Sequence, residues 1–163
     1  MNEIIYNESK PNIFCDFDGV LVDFERGFEI QYGKKHNEVP EFVMWKIIKN
    51  NMAHWEQLPA MPGALQLWAY IAPYDPTILT GCPTNGKQQA EEGKTIWKNR
   101  ELGEHVPIIT CLSRYKPKYM KAPGDILIDD MEKNLIRWTE AGGIGILHTS
   151  AFDTIQQLKA LGF

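Results

Sequence analysis

Five short apolar runs recur along the chain, separated by longer stretches of mixed polarity. They are residues 12–15 (NIFC) just before Asp16, 77–79 (TIL) before Thr80, 107–111 (PIITC), 125–128 (DILI) before Asp129 and Asp130, and 143–147 (GIGIL). Short continuous runs of this kind suit a parallel sheet with helices on both faces. Helical patterns fill the gaps. One opens at Pro62-Gly63 and runs to about residue 71. A second covers 87–102 and stops at Gly103, and a third covers 131–141 and stops at Gly142-Gly143. A fourth covers 151–161, with Ser150 placed to cap it. Alternating strands and helices predict an α/β protein, a Rossmann-like doubly wound parallel five-stranded sheet.

One segment breaks the alternation. Residues 24–61 hold no strand pattern and are rich in aromatic and charged side chains. They predict two or three helices inserted after the first strand. The expected layout is an α/β core from 1–23 and 62–163, with a small helical cap at 24–61.

Composition narrows the picture. A chain of 163 residues fits one domain with a small insertion and can bury a core without staples. The net charge of −4, with both signs mixed, argues against a nucleic-acid backbone or a membrane as the main partner. The three cysteines, Cys15, Cys82 and Cys111, are odd in number and lack C-x-x-C spacing, so they read as reduced thiols rather than a disulfide framework or a zinc site. All three fall near predicted strand ends. Thiol reagents that reach them are expected to block a site there without any cysteine being catalytic. The first ten residues lack the basic start and apolar run of a secretory signal, and no apolar stretch approaches membrane-spanning length. The default compartment is the cytoplasm.

Open α/β sheets place their sites at the C-terminal ends of strands. Those ends carry Asp16 and Asp18, Thr80, Cys111, and Asp129-Asp130. Carboxylates gathered at one sheet edge repel unless a cation sits among them, and all-oxygen ligands favour a hard ion, with magnesium suited to phosphate chemistry. Phosphoryl transfer needs a nucleophile, a proton donor for the leaving oxygen and neutralisation of the phosphoryl charge. Asp16 can attack phosphorus. Asp18 can protonate the leaving alcohol and later activate water. Gly19 permits the tight turn between strand and acid. Thr80 and the N–H of Gly81 can bind phosphoryl oxygens, and Asp129 and Asp130 can hold metal.

The motif DFDGVLVD at residues 16–23 resembles the first signature of the haloacid dehalogenase superfamily in its phosphatase form. ILTG at 78–81 resembles the second signature and DILIDD at 125–130 the fourth. Receiver domains of response regulators use a similar residue set, but their acidic pair comes first in the chain and here it comes last. Dehalogenases proper lack an aspartate two residues after the nucleophile, and here Asp18 is present. The resemblance implies Mg2+ held by Asp16, Asp18 and Asp130, with Asp129 as a supporting or alternative ligand. It implies a phosphate-contacting lysine after the third strand. Lys116 fits that place best, with Lys118 in reserve and Lys94 and Lys121 behind.

A narrower resemblance is to the 5'(3')-deoxyribonucleotidase branch, carried by DFDGVLVDFERGF, WEQLPAMPGA at 55–64, LTGCP and LIDD. MEKN follows Asp130 where the animal enzymes have Arg-Pro, and the cap is shorter. The implied activity is a phosphomonoesterase forming an aspartyl phosphate on a small phosphorylated substrate, a nucleotide first. Other phosphometabolites, a nucleic-acid end, or an idle phosphate-binding module are the alternatives. Phe24 and Trp45 in the insertion read either as cap core or as a flat wall over the substrate. Asp23 reads as a cap or brace for the insertion's first helix. The four histidines show no metal spacing. Pattern reading leaves the physiological substrate and the oligomeric state open.

Overall fold

A computed structural model describes residues 10–163. The stretch 1–9, part of the expected core segment 1–23 and most of the region read for a secretory signal, lies outside the described residues.

The strands are β1 (Ile13–Cys15), β2 (Thr77–Gly81), β3 (Ile108–Cys111), β4 (Ile126–Asp129) and β5 (Ile144–Leu147). They form one sheet in the order β3-β2-β1-β4-β5, parallel throughout. The expected α/β doubly wound sheet is what the chain builds. β1 lies at the centre, with Ile13, Phe14 and Cys15 registered against Ile126, Leu127 and Ile128. Side chains alternate between faces along a strand. Ile13, Cys15, Ile78, Ile126 and Ile128 therefore enter one core, while Phe14, Leu79 and Leu127 enter another. Helices α4 (Ala64–Ile71), α5 (Lys87–Glu101) and α7 (Ala151–Ala160) supply the first core with Leu67, Trp97 and Leu158. Helix α6 (Glu132–Glu140) supplies the second with Leu135 and Trp138. Both faces are apolar, which is why the strand sequences show no alternation. Ser150 caps α7 by accepting from the Asp153 N–H.

After β3 the chain turns away and β4 returns on the other side of β1. This reversal is the topological switch point of the sheet, and it opens a crevice at the strands' C-terminal ends.

Between β1 and α4 lie α1 (Phe24–Tyr32), α2 (Glu41–Ile48) and α3 (Met52–Glu56), with a 3-10 turn at His36–Glu38. Asp23 caps α1 by accepting from the Arg26 N–H at 3.0 Å. The insertion leaves and rejoins the core at one seam, where the Asp23 N–H donates to Pro59 O and the Met61 N–H to Leu21 O. Gly93 on α5 lets α3 come close, since a Cβ there would collide with Trp55 and the Met52 carbonyl. No helix among the described residues is long and apolar enough to cross a membrane.

Candidate active site

The loop after β1 carries the first two acids. Phe17, Val20, Leu21 and Val22 are fully buried and anchor it, so Asp16 and Asp18 are held by packing beneath them. Gly19 takes a φ of +78°, and a Cβ there would run into the Asp130 carboxylate. Glycine is thus required both for the turn and for the close approach of β1's loop to the end of β4.

Asp16 is buried. Its Oδ1 accepts from the Phe17 N–H at 2.8 Å and pairs with Lys116 Nζ at 2.9 Å, while among the described residues no hydrogen bond goes to Oδ2. Lys116 comes from the 3-10 segment Ser113–Tyr119 and also pairs with Asp129 Oδ2 at 2.6 Å. Burial pushes the Asp16 carboxyl up to about 7; Lys116 opposes the rise, and Asp129 and Asp18 add to it. Burial also works against the charged form of Lys116, but Asp16 and Asp129 outweigh it and keep the ammonium firmly protonated.

Asp129 and Asp130 are adjacent but differ in surroundings. The Asp129 carboxylate is fully engaged, by Lys116, by the Met131 N–H at 2.9 Å and by the Asn134 amide at 3.0 and 3.2 Å. Asp130 reaches solvent and has no side-chain partner of this kind. Desolvation, then Asp129, raise its carboxyl to about 6, against a backbone hydrogen bond and Lys116, which lower it. Oxygens of Asp16, Asp129 and Asp130 lie within 4.8 Å of one another. Asp18 stands outside that trio. Its Oδ2 is held by Lys94 at 2.6 Å, and its Oδ1 is buried without a partner.

Lys94, placed by sequence among the reserve candidates for contacting phosphate, is found as the partner of Asp18. It is fully buried on α5, and its three protons go to Asp18 Oδ2, Thr80 Oγ1 at 2.8 Å and Gly81 O at 2.8 Å. A signal was present. Ala90, Gly93, Lys94 and Trp97 form the buried stripe of α5 at helical spacing, and a lysine inside such a stripe needs an acidic partner. Asn134 and Ser113 also went unremarked, and both line the cavity.

The crevice over these groups is a cavity of about 720 Å³, within the usual range for a small-molecule site. Asp16, Asp18, Gly81, Ser113, Asp130 and Asn134 form its floor, and Phe24, His36, Trp45, Trp55 and Met61 come from the insertion and its return. Thr80 is fully buried beneath the floor, with its hydroxyl turned to Lys94. Phe24 packs edge-on against His54, and Trp45 is half-buried with its indole N–H directed to Glu41 at 3.3 Å. Lys118 lies over the Tyr115 ring and the Lys121 ammonium near the Phe14 ring, so neither joins the acids. The three cysteines are buried, so the access that inhibition by thiol reagents requires is restricted, although Cys82 lines the cavity. Burial raises all three thiols, Cys82 to about 11.

Four carboxylates at this floor face two buried ammonium groups, Lys94 and Lys116. The imbalance of two negative charges, the hard oxygen donors and the exposed Asp130 carboxylate fit a divalent cation.

Among solved structures the fold is similar to that of a HAD-superfamily hydrolase from Ehrlichia chaffeensis, with a TM-score of 0.53 at 14% identity over 93% of this chain and 97% of that one. The chain has the haloacid dehalogenase fold. A D,D-heptose 1,7-bisphosphate phosphatase from Burkholderia thailandensis shares this fold, with a TM-score of 0.52 at 12% identity over 91% of this chain and 99% of that one. In sequence, the chain is 29% identical over 133 residues to a protein of Vibrio phage KVP40 provisionally named a 5'(3')-deoxyribonucleotidase, covering 77% of this chain and 69% of the relative. No family profile matches the chain. The chain thus shares its fold with hydrolases of known structure and part of its sequence with the phage protein.

Proposed function

We propose that the chain is a magnesium-dependent phosphomonoesterase acting on a nucleotide through an aspartyl phosphate at Asp16. The carrying observation is Asp16 itself, a buried carboxylate with Oδ1 immobilised by Lys116 and the Phe17 N–H and Oδ2 without a hydrogen bond at the cavity floor.

Asp16 Oδ2 attacks phosphorus, and the bond to the leaving oxygen breaks as the Asp18 carboxyl delivers its proton to that oxygen. Asp18 then takes a proton from water as the water attacks the aspartyl phosphate. This step frees Asp16 and inorganic phosphate. Lys94 fixes Asp18 by its Oδ2 and leaves Oδ1 for the proton. Thr80 braces Lys94, while the Gly81 N–H and the Ser113 hydroxyl meet the phosphoryl oxygens. Lys116 holds Asp16 and Asp129 and offsets the phosphoryl charge. Asp16 and Asp130 would hold Mg2+, with Asp129 bracing the site and Asp18 at its margin. The bound ion supplies charge neutralisation for an anionic substrate.

Residues 24–61 act in this reading as the cap that selects the substrate. Phe24 and Trp45 offer flat apolar faces to a base, and the name of the Vibrio phage relative supports a nucleotide.

The test is phosphate release from deoxynucleoside monophosphates, ribonucleotides and sugar phosphates, with magnesium and after chelation. Nucleotide turnover that stops on chelation and returns with magnesium is expected. Full turnover in chelator, or turnover of sugar phosphates alone, overturns the reading.

A further inference from the structure

A second hollow, of about 650 Å³, adjoins the active-site cavity. The two share Trp45, Pro83 and Leu112 in their walls, so they are neighbours across these side chains. One side of the hollow is α2, with Phe42, Trp45 and Lys46, and Lys49 just after it; the other is the loop after β2, with Pro83, Thr84 and Asn85. The walls are locked together. Gly86, at a φ of +76°, lies so close to the Lys49 carbonyl that any Cβ would collide with it. The groove is therefore built into the fold and needs little ordering before it binds.

Its chemistry differs from that of the main cavity. No carboxylate lines it, although the chain as a whole carries a net charge of −4. Lys46 and Lys49 have no acidic partner within 4.0 Å among the described residues. Phe42 is 74% exposed beside them. The lining is mostly apolar, and two lysines without an acidic partner beside aromatic rings suit an anion attached to a flat group. The groove also begins where the aromatic wall of the active site ends.

We propose that this groove is a subsite for a second, non-reacting phosphate, so that the preferred substrate is a nucleotide bearing another phosphate beyond the one removed. The proposal rests on the nucleotide phosphatase reading above. A free nucleoside bisphosphate and the 5'-phosphorylated end of an oligonucleotide share this chemistry.

The experiment compares kcat/KM for a deoxynucleoside 5'-monophosphate, its 3',5'-bisphosphate and a 5'-phosphorylated dinucleotide, in wild type and in Lys46→Ala/Lys49→Ala, at low salt with magnesium. A second phosphate should raise kcat/KM roughly tenfold, through KM, the size of two partly exposed ion pairs. The double variant should lose that advantage and leave the monophosphate unchanged. A gain for the dinucleotide alone that Phe42→Ala removes and the lysine variant spares means stacking, not phosphate recognition, and overturns the proposal. Equal rates for all three substrates in wild type, or an equal fall for all three in the variant, overturn it too. Binding of a labelled dinucleotide to Asp16→Asn, with and without the lysine substitutions, decides the subsite even if no substrate is hydrolysed. Absence of hydrolysis counts only against the catalytic reading; binding indifferent to Lys46 and Lys49 counts against the subsite.

Discussion

Lys94 and Asp18, 76 residues apart, meet in a 2.6 Å ion pair whose ammonium is sealed from water and whose carboxylate faces the cavity. The lysine spends its other two protons on Thr80 and Gly81. One side chain on α5 thereby ties the loop after β1 to the end of β2.

Replacing Lys94 should accordingly damage chemistry more than binding. Lys94→Met leaves Asp18 without its anchor, so kcat on an alkyl phosphate should fall ~10²-fold or more with little change in KM. An activated aryl phosphate, whose leaving group needs no proton, should suffer far less. Stability should drop by roughly 1–3 kcal/mol, because the Asp18 side chain is partly solvated and Thr80 is not. Denaturant melts and paired kinetics measure both, and equal losses on the two substrates would remove Lys94 from the positioning of Asp18.

The two acids of the first loop should fail differently. Asp16→Asn removes the nucleophile and should abolish both turnover and any covalent phosphate. Asp18→Asn should slow alkyl phosphates by ~10²–10⁴-fold yet still be phosphorylated by an activated substrate. Intact-mass spectrometry after rapid acid quench detects the adduct. Near-normal turnover by Asp16→Asn contradicts the mechanism.

Metal-free stability should carry the signature of Asp16. Its folded carboxyl is raised to about 7 by burial above all, against an ordinary value of 3.8. The native state then binds more protons than the unfolded one between about pH 4 and 7, and the Asp16 contribution falls as pH rises through that window. His54 runs the other way. Burial lowers it from 6.5 to about 4, so its contribution rises over much the same range. Comparison with Asp16→Asn cancels the histidine. In chelator the variant should match wild type near pH 4 and exceed it by roughly 1–3 kcal/mol at pH 7. Magnesium should shrink the gap. Parallel stability curves from pH 4 to 7 would show that Asp16 is not desolvated as the structure places it.

Thiol reagents should be poor inhibitors. Cys15, Cys82 and Cys111 are buried and their thiols are shifted upward, so little thiolate exists at neutral pH. Iodoacetamide should label the protein only after unfolding, as peptide mass mapping can show. Rapid labelling of the native protein with loss of activity would show that a thiol is reached through the cavity.

The aromatic wall should discriminate between substrates. Phe24→Ala and Trp45→Ala should weaken nucleotide turnover by an amount set by stacking, about 1–3 kcal/mol, and largely spare acetyl phosphate. Phe24 also packs on His54 and Trp55, so its variant needs a thermal melt alongside. An equal fall for both substrates would mark these rings as supports of the insertion alone.

Local pattern determined a large share of this protein. Apolar runs and helix stops are short-range signals, and they marked out β1 to β5 and α4 to α7 because each element's periodicity is written within it. The spacing of Asp16, Asp18 and Gly19 on one loop was legible for the same reason, as was Asp23 as a cap. Tertiary structure alone decided which distant groups meet. Lys94 sits within the buried stripe of α5, which marks it for burial but not for a partner, and only the crossover of α5 onto the sheet brings it to Asp18. The different surroundings of Asp129 and Asp130 depend on Lys116 and Asn134 arriving from two other elements. The burial of the cysteines and the closure of Lys49 against Gly86 likewise arise from packing between segments far apart in sequence. Periodicity reports which face of an element is apolar, but not which partner that face will find; that depends on the order in which the chain crosses the sheet.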